Sequence, residues 1–230
     1  MKNDTDSLHC ATNTEDKTAD SFSQLKIWEG KFGRDYTDRN SMSTSELDAM
    51  YMDYYGISRS ELNMLFLGGM DRSARILEVG SNTGNQLILL QEAGFTNLYG
   101  VEPQDYAVEL SKKRSKNINI IKSKVFELPF KDNFFDIVFT SGVLIHIAPS
   151  DIQRALVEIH RCSNKYIWGF EYFADEYTKV RYRGYENLLW KTDFASLYLD
   201  LFADLKLVKE KRIKYSANEN VDTMFLLRTE

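Results

Sequence analysis

The chain lacks the features that mark several large classes of protein. It has no excess of positive charge: 29 Lys and Arg stand against 34 Asp and Glu, a formal net charge of −5. Because binding to a phosphate backbone relies on clustered cations, this balance argues against a nucleic-acid partner. No apolar run approaches the ~18 residues of a membrane span, and the first stretch has no signal-peptide core. We expect a cytoplasmic protein without nucleic-acid or membrane partners.

Residues that bind metals or form disulfides are also scarce. The sequence has two cysteines, Cys10 and Cys162, and three histidines, with no cysteine pair at zinc-binding spacing. One cysteine lies in a polar segment and the other follows a predicted helix, which disfavours both a disulfide and structural zinc. We therefore expect no metal centre.

The composition that is present indicates one α/β domain with additions at its N-terminus. The 230 residues are 43% hydrophobic and 13% aromatic, enough for a sizeable core. Residues 1–20 are rich in Asp, Asn, Thr and Ser, which predicts a disordered tail. Residues 21–70 are expected to form a helical cap or lid, and residues 71–230 the ligand-binding domain.

From Arg75 onward, buried-strand and helix patterns alternate along the chain. This succession predicts a doubly wound, Rossmann-like parallel sheet. Residues 205–216 and 221–230 resemble two strands joined by a short polar turn, which predicts an antiparallel hairpin at the end of the sheet. Within the cap, Ser-x-x-Glu patterns indicate helix starts, whereas residues 30–40, with their glycines, aromatics and charges, are expected to form a loop.

The segment EVGSNTG, residues 78–84, follows the first predicted strand, where ligands bind in open α/β sheets. Its glycines do not match the G-x-G-x-x-G of a dinucleotide site. Glu78 would repel a pyrophosphate but attract an ammonium group, and the helix start nearby can hold a carboxylate. Glu102, at the end of the second strand, can accept hydrogen bonds from ribose hydroxyls. An amino acid joined to a ribonucleoside is S-adenosylmethionine, which we predict as the cofactor.

Three segments in order strengthen this prediction. EVGSNTGN, GVEP and FELPFKDNFFDIVFTSGVLIHI resemble the successive motifs of class I S-adenosylmethionine-dependent methyltransferases, over about residues 70–230. A narrower resemblance is carried by IWEGKFGRDYTDRN, TSGVLIHI, EIHRCSNKYIWGFEYF and YRGYENLLWKTDFA. These segments are similar to the small methyltransferases associated with biosynthesis of pseudaminic acid and related nonulosonic sugars. The two resemblances imply methyl transfer and a sugar acceptor.

The class resemblance also implies a set of cofactor contacts. Around the methionyl part we expect Glu78, Gly80, Ser81, Asn82, Thr83 and Gly84; around the ribose and adenine, Glu102, Pro103, Gln104, Val125 and Phe126; near the sulfonium, Thr140, Ser141 and Gly142. Over the cofactor we expect a lid of Trp28, Phe32, Tyr36, Arg39 and Asn40; the alternative is that the aromatic residues among them only pack against the domain. Many relatives carry an Asp that contacts the adenine where this chain has Lys124, which cannot accept that hydrogen bond. The backbone at Val125 and stacking by Phe126 are expected to substitute.

Three residues are candidates for catalysis. His146 is either a structural residue that orients its loop or a general base, since an ordinary imidazole titrates near neutral pH. Glu171 and Tyr172 end the fifth strand, where Glu171 can hold a substrate amine, act as the base or be structural. Arg181 and Arg183 can clamp the carboxylate of an acidic sugar or form internal ion pairs.

The sequence leaves several functions open. The favoured one is methyl transfer to N or O of a small molecule, with a nonulosonic or nucleotide-linked sugar as the acceptor. The alternatives are methylation of a protein or peptide side chain, a nicotinamide-dependent oxidoreductase, and a cofactor-binding module without catalysis. The run Gly80-Ser81-Asn82 lacks the second glycine of a nicotinamide site, which weighs against the oxidoreductase.

Overall fold

The structure is a computed structural model that describes residues 21–230, with side chains described from residue 24 onward. The tail expected for residues 1–20, including Cys10, lies outside the described residues. Within residues 21–230, no helix is long and apolar enough to cross a membrane. The same residues contain no group of three or more His, Cys, Asp or Glu side chains arranged to hold a metal ion.

Four helices precede the sheet: α1 (Ser21–Glu29), α2 (Lys31–Asn40), α3 (Thr44–Tyr55) and α4 (Arg59–Leu67). Ser43 and Ser58 begin α3 and α4 with capping boxes, in which each hydroxyl accepts from a backbone N–H three residues on. The expectation of a loop over residues 30–40 is wrong, because this segment is α2. Its low helix propensity is overridden by close packing around Gly33 against the rest of the protein.

The rest of the chain forms the predicted α/β fold. Its elements are β1 (Arg75–Val79), α5 (Asn85–Glu92), β2 (Asn97–Glu102), α6 (Asp105–Arg114), β3 (Ile118–Lys122), β4 (Phe135–Ser141), α7 (Ile152–Cys162), β5 (Ser163–Tyr172), β6 (Thr178–Lys179), β7 (Trp190–Lys191), α8 (Phe194–Leu201), β8 (Leu205–Lys214) and β9 (Val221–Thr229). The seven-stranded sheet has the order β3-β2-β1-β4-β5-β9-β8, and β6 pairs separately with β7. Strands β1 to β5 are parallel, while β9 pairs antiparallel with both β5 and β8. The predicted fold class and terminal hairpin are confirmed.

Both faces of the sheet are buried, as expected for parallel strands. Leu77 faces one apolar cluster, together with α7 and α8, while its neighbour Ile76 faces a second cluster with α3, α4 and α5. The carboxyl ends of β1, β2, β4 and β5 meet at one edge of the sheet. Strands β1 and β4 are adjacent there although they are distant in sequence, which creates the crevice where α/β proteins bind ligands.

Candidate active site

A cavity of about 500 Å³ lies at this edge of the sheet, under the N-terminal helices. We call the part lined by the ends of β1, β2 and β4 and the segments after β1, β2, β3 and β4 the cofactor half. Its residues are Glu78, Gly80, Ser81, Asn82, Glu102, Pro103, Gln104, Val125, Phe126, Ser141 and Gly142. We call a second part of the lining the acceptor half, and it comprises Tyr51, Tyr54, Tyr55, His146, Phe170, Tyr172, Tyr182, Arg183, Tyr215 and Asp222.

The turn after β1 is wound tightly by its backbone conformation. Gly80 has a φ of 75°, and a Cβ there would lie 2.6 Å from a methyl group of Val143. The amides of Gly80 and Ser81 both donate to the carbonyl of Val101, at 2.8 and 3.0 Å, which holds the turn against β2. Only glycine fits the first position without strain. The turn therefore brings its backbone to the cavity wall.

Glu78 is buried, with 3% of its surface exposed, and its Oε2 has no hydrogen-bond partner within the described residues. Burial raises the pKa of this carboxyl well above its usual range, and the charge of Arg59 opposes that shift. An unpartnered carboxylate in a cavity wall is costly unless a ligand supplies a cation. The position fits the ammonium group of an amino-acid tail.

Gly142, after β4, leaves open space where a side chain would stand, since a Cβ there would meet nothing within 4 Å.

Glu102 is held in a fixed orientation at the end of β2. Its Oε2 accepts from the amide of Asn82 at 2.9 Å, and its Oε1 from the amide of Gln104 at 3.0 Å. Burial raises the pKa of this carboxyl to about 7, against the lowering effect of the two amides. Each oxygen keeps a second lone pair, so the pair can also accept from two hydroxyls, as a ribose requires.

The adenine end of the predicted site departs from the usual pattern. Val125 and Phe126 line the cavity, whereas the Lys124 ammonium lies 3.9 Å from the Glu29 carboxylate of α1. The buried Gln104 side chain donates to the carbonyl of Trp28 at 2.7 Å. Although Gln104 lines the cavity, its side-chain amide thus connects the helical cap to the turn after β2.

Four residues predicted to contact the cofactor lie outside the cavity lining: Arg39, Thr83, Gly84 and Thr140. Arg39 is exposed on α2. The Thr83 hydroxyl accepts from Arg114, and Gly84 begins α5 in a left-handed conformation beside Ile120. The buried Thr140 hydroxyl bonds to Glu171. Thr83, Gly84 and Thr140 thus lie against other residues of the protein, and the cofactor contacts expected of all four residues stay predictions.

Helices α1 and α2, where the lid is predicted, line part of the cavity. Trp28, Tyr36 and Asn40 line it, and the Asn40 carbonyl accepts from the side chain of Asn85 at 2.6 Å. Phe32 does not line it, but its ring lies 5.1 Å from that of Trp28 and 5.2 Å from that of Tyr185. These ring contacts join the cap to the segment between β6 and β7.

Gly33 allows this close docking, so Gly33→Ala is expected to destabilise the protein by about 1–3 kcal/mol. The added Cβ would lie 1.8 Å from the Trp28 carbonyl oxygen and 2.4 Å from the Gln104 amide nitrogen. In an unobstructed helix the same change would be stabilising by roughly 1 kcal/mol. The sign of the change in the free energy of unfolding therefore shows whether Gly33 is tightly packed. Urea denaturation measures the effect, with Gly69→Ala as the control because a Cβ at Gly69 meets nothing within 4 Å. Equal stability of the two variants would contradict tight docking.

His146 lies in a single 3-10 turn, Leu144–His146, that follows β4. Its Nδ1 is 2.5 Å from the Leu188 carbonyl oxygen, which can only accept, so Nδ1 carries the proton and Nε2 the lone pair. The ring packs 4.6 Å from that of Trp28 and 5.2 Å from that of Tyr182. Burial lowers the pKa of His146 to about 4. The imidazole is therefore neutral near pH 7, a hydrogen-bond acceptor but a weak base.

Glu171 and Tyr172 point to opposite faces of β5, as successive strand residues do. Tyr172 lines the cavity, whereas Glu171 is 1% exposed and does not. The Glu171 carboxylate accepts from the amides of Val143 at 3.2 Å and Ile145 at 3.4 Å. Burial raises its pKa to about 7. In this position Glu171 anchors the turn that carries His146.

These buried carboxyls predict that the protein without ligand loses stability as the pH rises from about 6.5 to about 8. Glu102 and Glu171 have raised pKa values in the folded state, so the folded chain binds more protons than the unfolded one in this range. Stability then falls with rising pH, by about 1 kcal/mol. Below about pH 6.5 the lowered pKa of His146 acts in the opposite direction. Thermal unfolding at several pH values measures the slope, and a flat or rising profile would contradict it.

The structure adds residues that the sequence analysis missed. Asp222, at the start of β9, is 1% exposed and lines the acceptor half together with Tyr51, Tyr55 and Tyr215. Below it, the fully buried Arg59 donates to Tyr51 Oη at 2.8 Å. The sequence feature that could have indicated Asp222 is that it is the one charged residue in the mostly apolar segment VDTMFLL. The tyrosines of YMDYY gave no indication of their partner.

Part of the chain is similar to known methyltransferases. Residues 77–165 match the family model described as a methyltransferase domain. The sterol 24-C-methyltransferase erg6 of Schizosaccharomyces pombe is 30% identical over 111 residues, which cover 46% of this chain and 29% of that protein. The O-methyltransferase rstn1 of Aspergillus nomiae is 28% identical over 96 residues, 39% of this chain and 42% of that protein. The chain spans less than half the length of the curated relatives it matches.

Solved structures share the fold over most of the chain. The 1,6-didemethyltoxoflavin-N1-methyltransferase of Burkholderia thailandensis, crystallised with 1,6-didemethyltoxoflavin and S-adenosylhomocysteine, superposes with a TM-score of 0.69 at 17% identity, covering 92% of this chain and 91% of that one. The PH0226 protein of Pyrococcus horikoshii OT3 gives a TM-score of 0.62 at 16% identity, covering 85% and 95%.

The fold is that of the Rossmann-like methyltransferases, with a mostly parallel seven-stranded sheet and a C-terminal antiparallel pair. Within it, residues 77–165 match the methyltransferase domain model, and this match together with the fold indicates S-adenosylmethionine as the cofactor. The findings favour a methyltransferase over a nicotinamide-dependent oxidoreductase.

Proposed function

We propose that the protein transfers a methyl group from S-adenosylmethionine to N or O of a small molecule, with a nonulosonic or nucleotide-linked sugar as the acceptor. The observation that supports the transfer is the buried Glu78, with one oxygen unpartnered, in a cavity that Glu102 also lines. The acceptor class is supported by the resemblance to methyltransferases associated with nonulosonic sugars.

The cofactor, when bound, supplies a methyl group activated on a sulfonium. The chain's own residues then bind and align the reactants, which can contribute about 7–11 kcal/mol in favourable cases. Glu78 binds the ammonium and Glu102 the ribose hydroxyls. Trp28 and Tyr36 of the cap exclude water from the reacting groups. His146, neutral with its lone pair on Nε2, accepts a hydrogen bond from the acceptor and orients its nucleophilic atom.

The acceptor half favours a small acidic molecule. The whole cavity, about 500 Å³, is within the range for small-molecule sites, and the cofactor takes part of it. Of the two arginines considered as a clamp, Arg181 pairs with Glu186 at 3.2 Å outside the cavity, whereas Arg183 lines it. Arg183 can therefore bind an acidic group of the acceptor.

The first test is cofactor binding. Isothermal titration and thermal shift with S-adenosylhomocysteine are expected to show binding and a raised melting temperature, and NAD is expected to show neither. Stabilisation by NAD alone would overturn the proposed function.

The second test is an acceptor screen with labelled S-adenosylmethionine against acidic sugars, nucleotide sugars and peptides. For an acidic sugar that is methylated, Arg183→Ala is expected to raise KM by about tenfold, since one charged hydrogen bond contributes roughly 1.5–3 kcal/mol. Arg181→Ala is the matched control and should leave KM unchanged. Methylation of peptides and not of sugars would favour the alternative function, methylation of a protein or peptide side chain. Equal effects of the two variants on KM would show that Arg183 does not bind the acceptor.

A further inference from the structure

Asp222 is a buried carboxylate with one oxygen unused by the protein. Its Oδ2 accepts from the hydroxyls of Tyr55 at 2.5 Å and Tyr215 at 3.0 Å, which fixes the orientation of the group. Its Oδ1 is buried and has no hydrogen-bond partner within the described residues. Asp222 and both tyrosines line the acceptor half of the cavity. The protein thus holds a carboxylate in the cavity wall and leaves one of its oxygens for a ligand.

No cation of the described residues forms an ion pair with Asp222. Arg59 and Lys191 act on it only at longer range. Arg59 donates from Nε to Asn63 and from Nη1 to Tyr51, and its buried Nη2 has no hydrogen-bond partner within the described residues. The Lys191 ammonium bonds to the side chain of Asn220 at 2.7 Å. A buried carboxylate without an ion-pair partner is destabilising. A retained group of this kind in a binding cavity points to a cation supplied from outside.

The walls around Asp222 are aromatic. The Tyr55 and Tyr215 rings lie 4.7 Å apart, and the Tyr51 ring lies 5.2 Å from that of Tyr55. Tyr172, paired with Asp222 across the β5–β9 ladder, adds a fourth tyrosine to the same cavity. Aromatic rings beside a carboxylate are typical of sites that bind ammonium groups.

We propose that Asp222, oriented by Tyr55 and Tyr215, binds a protonated amino group of the methyl acceptor. This inference rests on the proposed function and narrows it to an amine-bearing acceptor such as an amino sugar. An ammonium group has no lone pair, so the nitrogen held by Asp222 is a recognition group and the methyl goes to another atom. A hydroxyl could donate to Oδ1 but would leave the carboxylate charge uncompensated.

The experiment compares matched pairs of ligands on the protein saturated with S-adenosylhomocysteine. The probes are 2-amino-2-deoxy sugars and their 2-hydroxy counterparts, both free and as uridine diphosphate conjugates, with binding measured by isothermal titration. The amino member of a pair is expected to bind at least about tenfold more tightly, as loss of a buried charge partner costs that much or more. Equal binding of the two members, or no binding of any amine, would overturn the inference.

Variants separate charge from hydrogen bonding. Asp222→Asn keeps an oxygen that the two tyrosines can bond to but removes the charge, so the preference for the amine should disappear. Tyr55→Phe keeps the charge and should retain the preference with weaker binding. Asp204→Asn, which changes a carboxylate paired with His160 at 3.0 Å, is the control and should match the wild type. A preference that survives in Asp222→Asn would overturn the inference.

The binding of S-adenosylhomocysteine distinguishes this inference from the proposed function. Wild type that does not bind it would refute the proposed function. Wild type that binds it and shows no preference for amines would refute only the role of Asp222. Unchanged affinity of Asp222→Asn for S-adenosylhomocysteine shows that the variant is folded.

Discussion

A Glu78→Gln variant is expected to bind S-adenosylhomocysteine about 100-fold more weakly than the wild type, while its unliganded form melts at a higher temperature. The loss of affinity follows from removing the charge that pairs with the ligand ammonium in a buried site, which costs roughly 2–5 kcal/mol. The gain in stability follows because Glu78 is 3% exposed with an unpartnered oxygen, and burial already raises its pKa. A neutral amide of the same shape removes that penalty.

The opposite signs of the two effects make this prediction specific. Isothermal titration gives the affinity, and calorimetry of the unliganded protein gives the melting temperature. Glu109→Gln is the control, since Glu109 is an exposed carboxylate on α6 paired with Lys112 at 2.6 Å. It should change neither quantity. A Glu78→Gln variant that is less stable and binds normally would mean that Glu78 supports the fold and not the ligand.

The parts of the site that the sequence predicts are those encoded locally. Glu78 and Glu102 each end a strand that an apolar run makes recognisable, and the carboxyl ends of parallel strands meet at one edge. The capping boxes that start at Ser43 and Ser58 are likewise local, four-residue patterns. Helix α2 was predicted as a loop because Gly33 and its polar neighbours have low helix propensity, which the packing of Gly33 against Trp28 overrides.

The parts that could not be predicted depend on distant pairs. Tyr55 and Asp222 are 167 positions apart and meet only because β9 lies next to β5 in the sheet. No pattern near either residue indicates the other. Which residues of a strand face the cavity is equally hard to predict, because a shift of one residue exchanges the two faces of the strand. Glu171 and Tyr172 were predicted together at the ligand edge, and the strand turns Tyr172 towards the cavity and Glu171 away from it.

Glu171→Ala is therefore expected to destabilise the protein by about 2–4 kcal/mol. The carboxylate is 1% exposed and accepts from the amides of Val143 and Ile145, and its removal leaves these buried donors unsatisfied. Each unsatisfied buried group costs about 1–3 kcal/mol. Urea denaturation measures the loss, and it needs no knowledge of the acceptor. Glu186→Ala, in an exposed ion pair with Arg181, should lie within about 0.5 kcal/mol of the wild type.

The same variant separates an anchor from a general base. An anchor acts through the turn that carries His146 and through Gly142, whose amide donates to the Phe170 carbonyl at 2.8 Å in the same connection. Loosening this turn should weaken S-adenosylhomocysteine binding as well as stability, because Gly142 lines the cofactor half. A base would act on the acceptor proton alone. The Glu171→Ala protein could instead keep wild-type stability and affinity for S-adenosylhomocysteine but lose methyl transfer. That result would show that Glu171 acts as the general base. Loss of stability, of affinity for S-adenosylhomocysteine and of methyl transfer together would show that Glu171 acts by holding the turn. A side chain outside the cavity affects the reaction only through the backbone that it positions.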